Sequence, residues 1–353
     1  MQRVTIKDIA KMAGVSVTTV SRALNDAPEI SPETRKCILR LCQETGYRAN
    51  LLARSLISSR TNVIGVIPPD ISNPFHAAFS LYIEMYAKAR DYQVMLCSGR
   101  PGDGRIDELF DFLISQRVDG VLLLSSSSSA GDLLKAHAAL PSVLVGDCVT
   151  EGTGSQLNAV SVDNCIGGRM AAEYLHQLGH RQVVYLGFRA GSATHALRHR
   201  GFSLRAEELG MQVETLVNPG RSSTIESGHQ LARQLFQKPF QQTAVFAASD
   251  SAALGVMAAA DECGIAIPEE LSLMGYDNID YAALPNIRLT TIAQPIPQLA
   301  RASVKLLLDL IDSESAGEYT RKFLLPTLVE RRTCRAISAG RPMQQKIPHI
   351  NHI

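Results

Sequence analysis

Apolar and polar positions follow different rhythms along the chain. Over the first 46 residues the rhythm is that of short helices, and Ile6, Ile9, Ala10 and Ala13 fall at i, i+3, i+4 and i+7. Thr5 and Asp8 have the spacing of a capping box before this run, and Gly14 ends it. Ser16 then caps a second helix whose inward stripe is Val20, Ala23 and Leu24, leaving Val17, Thr18, Ser21 and Arg22 outward. Ser31-Pro32-Glu33 opens a third helix, with Ile38, Leu41 and Cys42 inward and Gly46 at its end. Three short helices with a tight turn between the first two predict a helix-turn-helix unit.

From Val63 the rhythm changes to apolar runs alternating with amphipathic stretches. NVIGVIPPD, YQVMLCSG, VDGVLLLSS and SVLVGD read as buried strands, with helices over 75–90 and 106–116. A second series follows in AVSVD, QVVYLG, QVETLV, TAVFAASD and LSLMGYD, with helices over 167–178, 196–209, 225–236 and 252–262. Strands alternating with helices imply parallel sheets covered on both faces, and two series imply two similar α/β subdomains. RANLLARSLISSRTN joins the head to this body and reads as a connector with a short helix capped by Asn50.

Composition narrows the class of protein. At 353 residues the chain has room for two or three folded units, and 45% hydrophobic with 20% charged residues supports a sizeable core. No apolar run reaches the roughly 18 residues of a spanning helix, and the N-terminus lacks the apolar stretch of a signal peptide, so a cytoplasmic protein is expected. The seven cysteines are scattered without metal spacing and are expected to be buried free thiols; no metal or cofactor is expected. Charge is uneven. Residues 1–60 hold ten Lys/Arg against five Asp/Glu, leaving 25 against 29 for the rest, so a basic head sits on a mildly acidic body and points to a polyanion.

The outward face of the second helix suits a major groove. Arg22 is able to read a guanine edge, Val17 a thymine methyl, and Thr18 a base or a phosphate. Ser16, Thr19 and Ser21 are small enough for close approach and able to donate to phosphates. VTIKDIAKMAGVSVTTVSRALN followed by ISPETRKCILRLCQETGY resembles the DNA-binding head of the LacI/GalR family of bacterial transcription regulators. The resemblance implies that Val17 and Thr18 are the main base-reading pair and Arg22 a further base contact, with Thr5 and Asn25 completing the DNA-facing set. It also implies that residues 50–58 are a hinge helix that orders on operator DNA and inserts Leu56 into the minor groove, with Asn50, Ala53 and Arg54 alongside. Ala49 stands where that family usually has proline, which frees φ and implies a more mobile hinge.

In the body, a ligand belongs in the crevice at the carboxyl ends of the strands. Asp70, Asp147, Asp163, Asp250 and Asp277 end candidate strands, and carboxylates there suit the hydroxyls of a sugar. Asp163 and Asp250 read equally as helix N-caps. DISNPF, VDNCIGG, SDSAALG, LSLMGYDN and LTTIAQP stand in the order of the same family's effector-binding core, itself similar to periplasmic sugar-binding proteins. That resemblance implies an effector shell of Phe75, His76, Asp147, Ser192, Thr194, Arg198, Ser223, Ser249, Asp250 and Asp277. Arg198 would offer a planar fork to hydroxyls or a carboxylate. His76 reads equally as a solvent-facing loop residue. Relatives often place an aromatic ring near Ser223, and its replacement by GRSSTIESG, with Arg221, favours an open-chain or acidic ligand.

The resulting architecture is a head over 1–46, a hinge linker over 47–60 and a core over 61–338, followed by a polar tail over 339–353. The core divides into an N-subdomain, 61–161 with 293–323, and a C-subdomain, 162–292 with 324–338. The function expected is that of a homodimeric repressor on a palindromic operator, controlled by a small carbohydrate-type effector, a sugar, sugar acid or sugar phosphate, bound between the two core subdomains; the tail has no heptads for a tetramer. A sugar-binding module with a vestigial head is the alternative. An enzyme is not indicated: the body has no nucleophile elbow, P-loop or GxGxxG opening, and His195 with His199 in HALRHR is expected to be a solvated helix face.

Overall fold

The helical rhythm of the head is realised in the computed structural model, which describes residues 4–24, 27–47, 60–99, 105–125, 130–146, 157–188, 192–218, 223–313 and 318–337. The chain divides into two units, Met1–Thr61 and Asn62–Ile353. In the first, α1 (Ile6–Ala13), α2 (Val17–Leu24) and α3 (Pro32–Thr45) pack around Ile9, Val20 and Ile38, all fully buried. The caps are those the sequence predicts. The Asp8 carboxylate accepts from Thr5 N–H at 2.9 Å and from its hydroxyl at 2.7 Å, and these bonds hold the Asp8 pKa below its ordinary value. Gly14 has φ +66°, a left-handed conformation that glycine adopts without a Cβ clash, and Ser31 accepts from Thr34 N–H at the start of α3.

The second unit contains two six-stranded sheets. One has the order β11-β5-β4-β3-β1-β2, with β1 Val63–Ile67, β2 Gln93–Leu96, β3 Gly120–Leu124, β4 Ser142–Val145, β5 Ala159–Val162 and β11 Arg321–Leu324. The other has the order β12-β10-β9-β8-β6-β7, with β6 Gln182–Phe188, β7 Gln212–Asn218, β8 Ala244–Ala247, β9 Ser272–Asp277, β10 Thr290–Ala293 and β12 Thr327–Val329. Neighbours pair in parallel, except for antiparallel β10 and β12. The helices are α4 Pro74–Lys88, α5 Ile106–Ser115, α6 Ala130–Ala136, α7 Asn164–Gln177, α8 Ala193–Glu208, α9 Ile225–Phe236, α10 Asp250–Glu262 and α11 Ile296–Asp312. Separate apolar clusters form around each sheet, and Phe75 packs against both sheets' clusters.

Periodicity gave α9 to the residue and put α7, α8 and α10 two to three residues late, because their polar first turns, such as Asn164 and Ser251, carry no apolar signal. It assigned no element to α6, α11, β10, β11 and β12. The chain leaves the first sheet after β5, returns in α11 and β11, and crosses again to β12. Backbone bonds fasten these crossings: Asp163 N–H donates to Leu324 O at 2.9 Å. Close helix packing comes from two glycines, since a Cβ on Gly201 of α8 would strike the Cys165 carbonyl oxygen and one on Gly168 of α7 that of Arg198. Among the described residues, six cysteines are free thiols; only Cys42 is buried and the others are half-buried, which corrects the expectation of a buried set.

Candidate functional site

Two surfaces carry chemistry. On the head, α2 presents Val17, Thr18 and Arg22 as exposed and Ser21 as half-exposed, because its apolar stripe is committed to Ile9 and Ile38. Ser16 accepts from Thr19 N–H at 3.0 Å, and the two hydroxyls lie 2.8 Å apart, so both serve first as the cap of this helix. Thr5 is likewise occupied by Asp8. Asn25 and the hinge set Asn50, Ala53, Arg54 and Leu56 lie outside the described residues, as do Asp147 and Arg221.

In the second unit, the strand order places the topological switch points between β1 and β3 and between β6 and β8. Side chains following β1, β6 and β8 therefore line a crevice at the carboxyl ends of the strands. Phe75 and His76 come from the first turn of α4, and Ser192, Thr194, His195 and Arg198 from the start of α8. Ser223 precedes α9 and Ser249 caps α10, the two hydroxyls being hydrogen-bonded to each other. His76 Nδ1 lies 2.9 Å from the Asp70 carbonyl oxygen; burial lowers its pKa, the Asp70 charge opposes this and the Arg198 charge adds to it. Burial lowers the His195 pKa to about 3, assisted by the charges of Arg198 and His76.

Arg198 is the centre of the floor and differs from the open fork expected of it. It is 3% exposed. Its Nε donates to Asn164 Oδ1 at 2.8 Å and its Nη1 to the Ala248 carbonyl at 2.6 Å, while Nη2 lies 3.1 Å from Asp277 Oδ1. The guanidinium also stacks 3.6 Å from the Tyr276 ring centroid. Three of its five N–H groups are thus engaged within the fold. Asp277 also accepts from Gln294 Nε2 at 2.7 Å; burial raises its pKa, and Arg198 works in the opposite direction.

The strand-end carboxylates divide in a way the sequence left open. Asp163 is an N-cap, accepting from Ile166 N–H at 2.8 Å. Asp250 is not: Ser249 caps α10, and the fully buried Asp250 accepts from Ile279 N–H at 2.9 Å and from the Thr291 hydroxyl at 2.6 Å. Gly275 leaves space for it, since a Cβ there would meet Asp250 Oδ1. Burial, and then the charge of Asp277, pushes the Asp250 pKa up to about 8. Asp70 accepts from the Ser72 N–H at 2.9 Å and its hydroxyl at 2.6 Å.

His195 and His199 are not the solvated face expected of HALRHR. His195 is half-buried, with its pKa lowered by burial and by the charges of Arg198 and His76, and His199 stacks on Tyr185 at 4.6 Å with its Nε2 3.1 Å from Thr215 Oγ1. Sequence reasoning missed Asn164, Tyr276 and Gln294 as Arg198 and Asp277 partners. VDNCIGG and LSLMGYDN contain the first two, but nothing local marks a side chain that acts across a fold.

A helix-turn-helix head joined to a two-sheet core with a crevice at its strand ends defines a ligand-binding DNA regulator. Residues 5–50 match the family described as bacterial regulatory proteins, lacI family, and residues 172–334 match the periplasmic binding protein-like domain. The HTH-type transcriptional repressor PurR of Pectobacterium carotovorum subsp. carotovorum is 32% identical over 336 residues, covering 93% of this chain and 96% of that protein. The chain belongs to the lacI family of bacterial regulatory proteins. The structure of the lac repressor dimer bound to operator and the anti-inducer ONPF is similar at a TM-score of 0.84 and 27% identity, covering 95% of this chain and all of that one. The complex of the transcriptional regulator CelR with cellobiose is similar at 0.70 and 28% identity, covering 94% of this chain and all of that one.

Proposed function

We propose that the protein is a transcriptional repressor that binds a palindromic operator as a homodimer in the cytoplasm and is controlled by a small carbohydrate-type effector in its crevice. The observation that carries this reading is the union in one chain of an exposed Val17, Thr18 and Arg22 face with a crevice floored by Arg198 and Asp277. Val17 and Thr18 act as the base-reading pair and Arg22 as a guanine contact, with Leu56 of the hinge at the operator centre. The operator-bound lac repressor dimer and the cellobiose complex of CelR support the DNA and carbohydrate parts. The crevice spans both sheets, so a ligand that favours one relative placement of the subdomains shifts the DNA-competent population by its differential affinity.

Operator binding by the full chain and by residues 61–353, each with and without effector, tests the reading. A regulator loses DNA binding and keeps its ligand when the head is removed. A sugar-binding module with a vestigial head loses nothing measurable.

A further inference from the structure

The second of the chain's crossings between the two sheets starts at the crevice floor. Gln294 directly follows β10 of the second sheet, and Ile296 opens α11, whose Ile296, Leu299 and Ala300 pack in the cluster of the first sheet. The step between them is tight. Pro295 has φ −77° and ψ +68°, and Ile296 N–H donates to the Gln294 carbonyl at 2.8 Å, which makes an inverse γ-turn. Asp277 holds the near side of this turn: Gln294 Nε2 donates to Asp277 Oδ1 at 2.7 Å, and Gln294 N–H to the Asp277 carbonyl at 3.4 Å. The same Oδ1 faces Arg198 Nη2 at 3.1 Å.

The corner that carries Asp277 is held in a sparsely populated conformation. Asp277 has φ +114° and Asn278 φ +58°, two consecutive left-handed positions without a glycine. Such a corner persists only where its surroundings over-determine it, and strain of this kind is one basis of bistability. The surroundings are Gln294 and Arg198 on Asp277, Arg331 Nη2 on Asn278 Oδ1 at 2.6 Å, and Asp250 on the Ile279 N–H at 2.9 Å. Of these groups only Gln294 adjoins a crossing, so it ties the corner to the path by which one subdomain is carried on the other.

We propose that Gln294 is a positioning residue that couples the state of the Asp277 carboxylate to the angle between the two subdomains. While its amide holds Oδ1, the turn at Pro295 and the direction of α11 are fixed. When the carboxylate is drawn elsewhere or the donor is lost, the turn is released and the subdomains take up other placements. The regulatory meaning rests on the reading of the crevice as the effector site: an effector with unequal affinity for the clamped and the released corner shifts the placement, and with it the DNA-competent population.

Distances between spin labels on the full-length protein test this without an effector. Labels attached through a ketone-bearing amino acid at Glu207 on α8 and Asp309 on α11, both exposed, leave the cysteines untouched, and dilution with unlabelled protein suppresses distances between protomers. Asp309 stands about 20 Å along α11 from the crossing, so a subdomain rotation of about 15° displaces it by about 5 Å. Compared with the unmodified protein at the same pH, Gln294→Met is expected to shift or broaden the distribution on that scale at both pH 5.5 and pH 8.5. Gln294→Glu is expected to match the unmodified protein at pH 5.5, where one proton is shared with Asp277, and to match Gln294→Met at pH 8.5, where two carboxylates repel. Arg198 on α8 and Asp250 on α10, with Arg331 beside Asp250, are the ionisable groups that bear on the pair, and they are the same in every variant. A Gln294→Met distribution identical to that of the unmodified protein overturns the coupling. So does a Gln294→Glu distribution that does not change with pH, which assigns any displacement to side-chain volume. If Gln294→Met fails to fold, the pH response of Gln294→Glu decides alone. Either negative result leaves the crevice free to bind an effector, and failure of the crevice reading leaves these distances unaffected.

Discussion

Replacing Arg198 by Met tests whether the crevice floor is built as an ion pair. The substitution removes the bonds to Asn164 and Ala248, the pair with Asp277 and the stack on Tyr276. Breaking one side of a buried pair costs about 3–5 kcal/mol, because the remaining charge is uncompensated. For a core of this size that is a fall in Tm of roughly 6–20 °C. The sign of its pH dependence follows from Asp277. Burial already raises the folded pKa of Asp277 above the ordinary 3.8, and Arg198 is the foremost influence holding it down, so the variant raises it further. A carboxyl whose folded pKa lies above its unfolded value contributes stability below the unfolded value and loses it as pH rises through the folded one. The deficit of Arg198→Met relative to the unmodified protein should therefore be larger at pH 8 than at pH 5 in urea denaturation. Adding Asp277→Asn should recover most of the difference. An equal deficit at both pH values, or a double variant no better than the single one, would refute the ion-pair account.

Other consequences are open to direct measurement. Arg22→Ala should weaken operator binding by about 1–3 kcal/mol and reduce discrimination against random DNA, as read by fluorescence anisotropy; unchanged discrimination would remove Arg22 from the groove. Asp250→Asn should flatten the stability loss between pH 6 and pH 8.5, since the folded pKa near 8 makes ionisation of Asp250 unfavourable in that range; an unaltered profile would show that the carboxyl is already ionised. Gly201→Ala should destabilise the protein by about 1–3 kcal/mol in the same denaturation assay, through the contact with the Cys165 carbonyl.

The head was legible almost residue by residue, because its signals are local. The Thr5–Asp8 box, Gly14, Ser16 and Ser31 each act within four positions of themselves, and all four perform the expected role. Nine strands of the core, β1 to β9, were legible from their apolar or alternating runs, whereas the short buried β10, TTIA, was not. The wiring around Arg198 was less legible. Arg198 reaches partners 34 and 50 residues away, and nothing in HALRHR announces that its fork faces inward. Asp250 looked like a cap because it precedes a helix, but Ser249 has the shorter reach to Ala252 N–H and leaves the carboxyl to cross to Ile279 and Thr291. α11 and the two short strands after it went unassigned because their order is set by chain crossings between the sheets.

Sequence-specific recognition through α2 is the central claim, and selection of DNA sites from a random duplex pool by the full-length protein tests it most directly. Two inverted half-sites flanking a common centre, with altered base preference in variants of Val17 and Thr18, are the expected result. A pool that emerges no different from its input would contradict the account.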